Sequence, residues 1–206
     1  MRPARTNESI EAFRRRLTEV ATRIYVERGS EAVSLRNVAR EAGISRGTPY
    51  GYFENKQAII DSICAAGFDR LTQRCERAFE HEQDCMIKMR RLGLEVVQFA
   101  CDEPAIYALM FSRPVFHGEL DDDLAEAIER FRAVSRPPLE EAIAKGLVRG
   151  DPDVLRRVTW AAFHGLVSLY VHGHIESKSA LLADFEQLNH IIGHGILVPA
   201  PRSEGT

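Results

Sequence analysis

The stretch from Ser34 to Phe53 constrains this chain most, because it sets a helix stop at Gly43 and a helix breaker at Pro49 a short distance apart. Ser34 is a good N-cap, since its hydroxyl can accept from a free amide in the first turn, and Leu35, Val38, Ala39 and Ala42 come after it at helical spacing. That is a one-sided helix of about two turns. Gly43 stands where it must end, because glycine takes the left-handed C-terminal conformation without steric penalty, and Ile44 supplies an apolar plug. Ser45 or Thr48 can cap the next helix, which is poor in aliphatic residues and carries Arg46, Thr48, Tyr50 and Tyr52. These are donors suited to phosphates and base edges rather than to a core.

Pro49 lacks an amide, and in a helix begun at Ser45 its ring would clash with the carbonyl four residues back, at a cost of about 3 kcal/mol. Two resolutions are open: a helix that starts at Thr48 with Pro49 in its first position, or a first turn whose lost hydrogen bond is met otherwise. Gly51 costs about 1 kcal/mol more relative to alanine, so packing rather than propensity has to hold this element.

Charge agrees with a nucleic-acid partner for one end only. The chain of 206 residues has a formal net charge of −3, but residues 1–56 hold 11 Lys and Arg against 7 Asp and Glu, net +4, and residues 57–206 carry net −7. A basic end on an acidic body is the asymmetry of a protein in which one domain faces phosphate. Cys64, Cys75, Cys85 and Cys101 form no Cys-x-x-Cys pair and read as free thiols in a reducing cytosol. With no membrane-length apolar run and no secretory leader, a soluble cytoplasmic protein is expected.

Residues 21–56, with Phe13, Tyr25, Gly29, Val33, the run Ala39-Arg-Glu-Ala-Gly-Ile-Ser45, Tyr50, Tyr52-Phe53 and Asn55-Lys56, resemble the tetracycline-repressor (TetR) family of bacterial transcription regulators. The block Trp160-Ala-Ala-Phe-His164-Gly165 resembles the Trp-His-Gly signature of one of its ligand-domain subfamilies. The resemblance implies an all-α protein of about nine helices: a three-helix helix-turn-helix domain at 1–56, a helical ligand-binding and dimerisation domain at 57–198, and a disordered tail at 199–206. It implies a homodimeric regulator, usually a repressor, that binds a palindromic DNA operator and is released by a small apolar or aromatic effector, with no cofactor and no enzymatic activity. Carried over by position, the DNA-facing residues are Ser34, Arg36, Ser45, Arg46, Gly47, Thr48, Tyr50 and Lys56. Physically, Arg36 and Arg46 can fork onto a guanine edge, Tyr50 can give its hydroxyl to phosphate, and Lys56 supplies a point charge. The chain departs from the family wording at Pro49, commonly apolar, and at Gly51, often histidine, so the bases read are open.

Along the rest of the chain, the basic stretch Met1 to Asn7 is either a disordered tail or a DNA-touching arm. The first helix buries Ile10, Phe13, Leu17, Val20, Ala21, Ile24 and Tyr25, while Arg14, Arg15 and Arg16 are either solvated or on phosphate. Tyr52 and Phe53 are expected to be partly core. A long helix runs from Asn55 to about His81, another from Gln83 to Cys101, and a short one from Ala105 to Phe111. After a loop at residues 113–118, a helix that starts at Asp121-Asp122-Asp123 must kink or split at Pro137-Pro138. A metal at the three aspartates is the sharper alternative to a favourable helix start. Asp151-Pro152 opens the next helix, and the last spans about Leu181 to Leu197. The surplus apolar surface of these two suggests a four-helix dimer contact.

Phe99, Tyr107, Met110, Phe111, Phe116, Phe131, Trp160 and His164 can line an apolar effector cavity, against the plain reading of aromatic core. His172 with His174, and His190 with His194 one turn apart, allow a second reading as a metal-binding sensor or hydrolytic enzyme. No His-Glu-x-x-His pattern, serine-nucleophile motif or phosphate loop supports it, and a polar rim or dimer contact is the plainer reading.

Overall fold

The computed structural model describes residues 7–112 and 120–196, and these are all helix and connection. In chain order they form α1 (Asn7–Arg28), a 3-10 turn Ser30–Ala32, α2 (Leu35–Glu41), a 3-10 turn Thr48–Gly51, α3 (Lys56–Phe79) and α4 (Cys85–Asp102). Then come α5 (Pro104–Phe111), α6 (Asp122–Ala144), α7 (Pro152–Val171) and α8 (Lys178–Ile196). The all-α expectation holds, and no helix among the described residues is long and apolar enough to cross a membrane. The basic arm, the loop with Phe116 and the tail at 199–206 lie outside the described residues.

Helix boundaries are set by side chains that satisfy exposed amides. Asp84 Oδ1 accepts from Met86 N and Ile87 N at 2.7 and 3.2 Å to start α4, and Asp151 Oδ1 accepts from Val154 N at 2.9 Å to start α7. Asn55 does the same for α3 through Ala58 N at 3.0 Å. Ser177 Oγ accepts from Ala180 N at 3.1 Å, which starts α8 at Lys178, three residues before the apolar stripe that marks it in the sequence.

Two compact units emerge. The first holds the residues up to Asp69 together with those from Leu109 to Ile128. Its core draws Leu17, Val20, Ala21 and Ile24 from α1, Val33, Leu35, Val38 and Ala39 around α2, and Ile59, Ile60 and Ile63 from α3. The α1 stripe fades toward its start: Phe13 is half-buried against Tyr52, and Ile10 is exposed rather than core. One polar link crosses this core, where Thr18 Oγ1 lies 3.1 Å from Ser62 Oγ, which itself donates to the Ile59 carbonyl at 2.8 Å.

The second unit holds the residues from Arg70 to Ala108 and from Glu129 onward, with α4, α7 and α8 packed on one another. Cys85, Leu139, Ala142 and Val148 form one cluster within it, joined by Met86, Met89, Ile143 and Leu155. Of the two outcomes expected at Pro137 and Pro138, the split does not occur: α6 runs through them as one helix, and the turns beyond them are anchored by Leu139 and Ala142 in the cluster. The four cysteines are free thiols, three buried and Cys101 half-buried, and burial pushes the Cys75 thiol up to about 12.

Helices α4 and α8 meet most tightly at Gly93. A Cβ there would lie 2.9 Å from Cε2 of Phe185, a ring that is fully buried and also meets Phe163 at a tilt, 5.4 Å between centroids. With no room for the ring to swing aside, Gly93→Ala is expected to cost about 1–2 kcal/mol despite alanine's better helix propensity. In a thermal melt this is a loss of a few degrees, and an unchanged or raised midpoint would contradict this packing.

Candidate nucleic-acid interface and aromatic ladder

The turn between α2 and the second 3-10 turn is built entirely by local hydrogen bonds. Ser34 Oγ accepts from Asn37 N at 3.2 Å, and Asn37 Nδ2 donates to the Ala32 carbonyl at 2.8 Å, which fixes the entry to α2. At the exit, Ile44 N bonds to Ala39 O at 3.0 Å and Gly43 N to Arg40 O at 3.2 Å, with Gly43 at φ 66°. That paired closure needs a left-handed residue at its fifth position, which is why glycine stands there.

Pro49 determines the shape of the next element. Without an amide it cannot extend a helix back to Ser45, so Thr48 N bonds to Ser45 O at 3.1 Å, and Tyr52 N and Phe53 N bond to Pro49 O at 2.9 and 3.0 Å. The recognition element is therefore one 3-10 turn, Thr48–Gly51, with Pro49 buried. Ser45 Oγ and Thr48 Oγ1 bond each other at 2.7 Å. Phe53 is buried and Tyr52 meets Phe13 at 5.0 Å, as expected of partly core rings.

The residues expected to meet DNA lie around this turn. Arg36, Ser45, Arg46, Gly47 and Lys56 are exposed, Ser34 and Thr48 are half-buried, and Tyr50 is 62% exposed although it is a large ring. Arg14 is different. Its guanidinium donates to the Asp123 carboxylate, lies 3.9 Å from Asp121 and sits over the Phe53 ring at 5.4 Å. Arg14 is thus occupied within its own unit rather than offered to phosphate, and Asp121 and Asp123 are engaged by its guanidinium. No local signal announces this pair, since its members stand 109 residues apart in sequence.

The aromatic residues divide. Phe99 is fully buried with Arg74 above its ring at 5.9 Å, so it is core. Phe111 meets Phe68 edge-on at 5.4 Å in the first unit, where Met110 is also buried. Within the second unit, Phe131, Trp160, His164 and Tyr107 form a continuous ladder. Phe131 meets Trp160 edge-on at 5.7 Å, Trp160 stacks on His164 at 5.6 Å and 18°, and His164 lies 5.8 Å from Tyr107. Tyr107 Oη and His164 Nδ1 are 2.8 Å apart. Burial raises the Tyr107 pKa and lowers that of His164, so both are neutral near pH 7. Whichever atom donates, a neutral phenol and imidazole so paired keep one donor and one acceptor between them.

The neutral state of His164 makes stability depend on pH. Its folded pKa lies below the ordinary value of 6.5, so as pH falls through 6.5 the unfolded chain takes up a proton that the folded one refuses. Stability is therefore lost as pH drops from 6.5 toward the lowered folded pKa. The difference in urea midpoint between about pH 7.5 and about pH 5.5 is expected to shrink in His164→Gln, and an equal difference in both proteins would contradict it.

Known proteins resemble this chain in sequence and in fold. Residues 17–63 match the family model for bacterial regulatory proteins of the tetR family, and residues 89–189 match that for the tetracyclin repressor-like C-terminal domain. The HTH-type transcriptional repressor KstR2 of Rhodococcus jostii is 27% identical over 169 residues, 78% of this chain and 82% of that protein. TtgR of Pseudomonas putida, an HTH-type transcriptional regulator, is 35% identical over 96 residues, 45% of this chain and 44% of its own. A solved protein of unknown function from Rhodococcus sp. RHA1 superposes with a TM-score of 0.77 at 27% identity, covering 96% of this chain and all of that one. The fold also matches FadR of Bacillus subtilis, solved in complex with stearoyl-CoA, with a TM-score of 0.74 at 18% identity over 88% of this chain and 98% of that one. The chain belongs to the TetR family of bacterial transcription regulators, which are DNA-binding proteins and not enzymes.

Proposed function

We propose that the protein is a ligand-responsive repressor that binds a palindromic operator as a homodimer and leaves it when a small apolar or aromatic effector binds. Residues 1–56 form the DNA-binding domain and residues 57–198 the ligand-binding and dimerisation domain, and the protein acts on DNA in the cytoplasm. The observation that carries this reading is the outward display of Arg36, Arg46, Tyr50 and Lys56 around a turn whose apolar side chains, Pro49 and Phe53, are buried. Arg46 and Arg36 would read base edges, while Ser34, Ser45, Gly47, Thr48, Tyr50 and Lys56 would fix the register on phosphates. Two half-sites about 34–36 Å apart match a two-fold dimer. Repression as the sign is supported by the relative KstR2, a transcriptional repressor.

The dimer contact is the outer face of α7 and α8. Val154, Val158 and Leu169 on α7 are 45%, 60% and 48% exposed, and Ile191 on α8 is 66% exposed. Large aliphatic side chains left open on neighbouring helices are the mark of a covered face. The effector site is assigned to the ladder of Tyr107, Phe131, Trp160 and His164, whose rings combine apolar area with one donor and one acceptor. A neighbour of the same fold, FadR, is seen with stearoyl-CoA, which supports a largely apolar ligand.

Selection of bound sequences from random duplex DNA, then titration at two salt concentrations, tests the reading. A palindromic consensus is expected, with affinity falling as salt rises. Arg46→Ala is expected to lose about 1–3 kcal/mol on that consensus and to relax one position, while Tyr50→Phe weakens all sequences alike. A folded protein that enriches no sequence, and binds bulk DNA equally well after Arg46→Ala, would overturn it.

A further inference from the structure

The Phe163–Phe185 ring contact at 5.4 Å sets the register of α7 against α8. A short connection from His172 to Ser177 reverses the chain, so the helices run antiparallel, and counting away from that contact puts Val158 level with His190 and Val154 level with His194 along the pair. His190, Ile191 and His194 are exposed on α8, next to the exposed valines of α7. On the proposed dimer reading, two imidazoles thus share the outer side of α8 with the exposed Ile191. Covered there with a ring nitrogen left unmet, they would oppose the association that buries them.

Their geometry suits a ligand that removes this cost. The two rings meet edge-on, 4.0 Å between centroids and 62° apart. His194 Nδ1 lies 2.8 Å from the His190 carbonyl. A carbonyl only accepts, so Nδ1 carries the proton and the lone pair of the neutral ring is on Nε2, pointing away from the helix backbone. A metal-binding histidine is characteristically oriented by this kind of bond from its other nitrogen. We propose that His190 and His194 bind a divalent transition metal of the zinc class through their Nε2 atoms, and that the same pair from a second copy completes the site across the two-fold axis. Zinc takes four ligands, and among the described residues no group of three or more His, Cys, Asp or Glu can hold a metal within one chain. An isologous contact supplies two and two. This inference rests on the dimer reading, and the metal makes that face a metal-dependent clasp.

The test uses the full chain freed of metal by a chelator. Zinc is titrated in competition with a chromophoric chelator, cobalt(II) reports coordination geometry by its visible absorption, and sedimentation reports assembly. One zinc per two chains, intense four-coordinate cobalt bands and a dimer dissociation constant lowered about tenfold or more are expected. His190→Ala and His194→Ala, both at exposed positions, should each abolish uptake, while His172→Ala at the end of α7 leaves it intact. A chain that is monomeric without metal but pairs on adding zinc at one per two chains refutes the standing dimer and keeps the site. A dimer that takes up no more zinc than His190→Ala, or one zinc per chain without tighter pairing, overturns the site and leaves the dimer reading standing.

Discussion

Pro49 is the constraint on which the surface proposed to face DNA depends. Its missing amide removes the bond that a regular helix begun at Ser45 would make there, and its buried ring fastens the 3-10 turn that forms instead. Its carbonyl takes both Tyr52 N and Phe53 N, which aims Phe53 into the core and leaves Tyr50 outside. The recognition element is thus held by what lies beneath it rather than by its own propensity. Gly51 fits the same logic, since a Cβ there would meet nothing within 4 Å. Glycine at that position gives up side-chain contact on the outer surface without being required by packing.

What could be read from the sequence was whatever local chemistry decides. Ser34 and Asp151 each cap the helix that their position announces, and Gly43 closes α2 with the two hydrogen bonds that the left-handed conformation permits. Periodicity located the apolar faces of α1 and α3 but not how far each is covered, so Ile10 proved exposed. The pair Pro137-Pro138 looked like a break because local rules see two lost hydrogen bonds. They do not see Leu139 and Ala142 anchored against Cys85 and Val148. Arg14 with Asp123, and Gly93 against Phe185, depend on residues far apart in the chain, and neither carries a periodic signal.

Charge in this protein is used mostly to tie helices rather than to decorate them. In the second unit Arg74 reaches Glu95 and Asp102, both at 3.0 Å, and Lys178 reaches the other oxygen of Asp102 at 3.2 Å. One carboxylate so links α3, α4 and the start of α8, and the Arg74 guanidinium beside it holds its pKa below the ordinary value. Exposed pairs of this kind contribute little singly, about 0–1 kcal/mol each, yet a shared Asp102 fixes the relative positions of three helix ends. In the first unit, Arg28 and Arg40 both reach Glu41, which offsets part of their charge, although Arg40 stays exposed. Arg36, Arg46 and Lys56 are a selected remainder of the basic residues near the turn, not merely its average charge.

The same distinction between spare and committed groups bears on how a ligand would act. Tyr107 belongs to α5, Phe131 to α6, and Trp160 with His164 to α7, so one ladder of ring contacts joins three helices. On the proposed reading, an effector that enters between any two rings must replace a contact worth about 0.5–1.5 kcal/mol and the hydrogen bond between Tyr107 and His164. A ligand that offers both a donor and an acceptor on an apolar frame can restore those terms with the rings farther apart, whereas a purely apolar ligand leaves the phenol or the imidazole unmet. Binding then favours the spread arrangement by the difference in affinity for the two states, and only by that difference. The neutrality of His164 sets the sign: a cationic ligand finds no counter-charge in the ladder, and an anionic one finds no imidazolium.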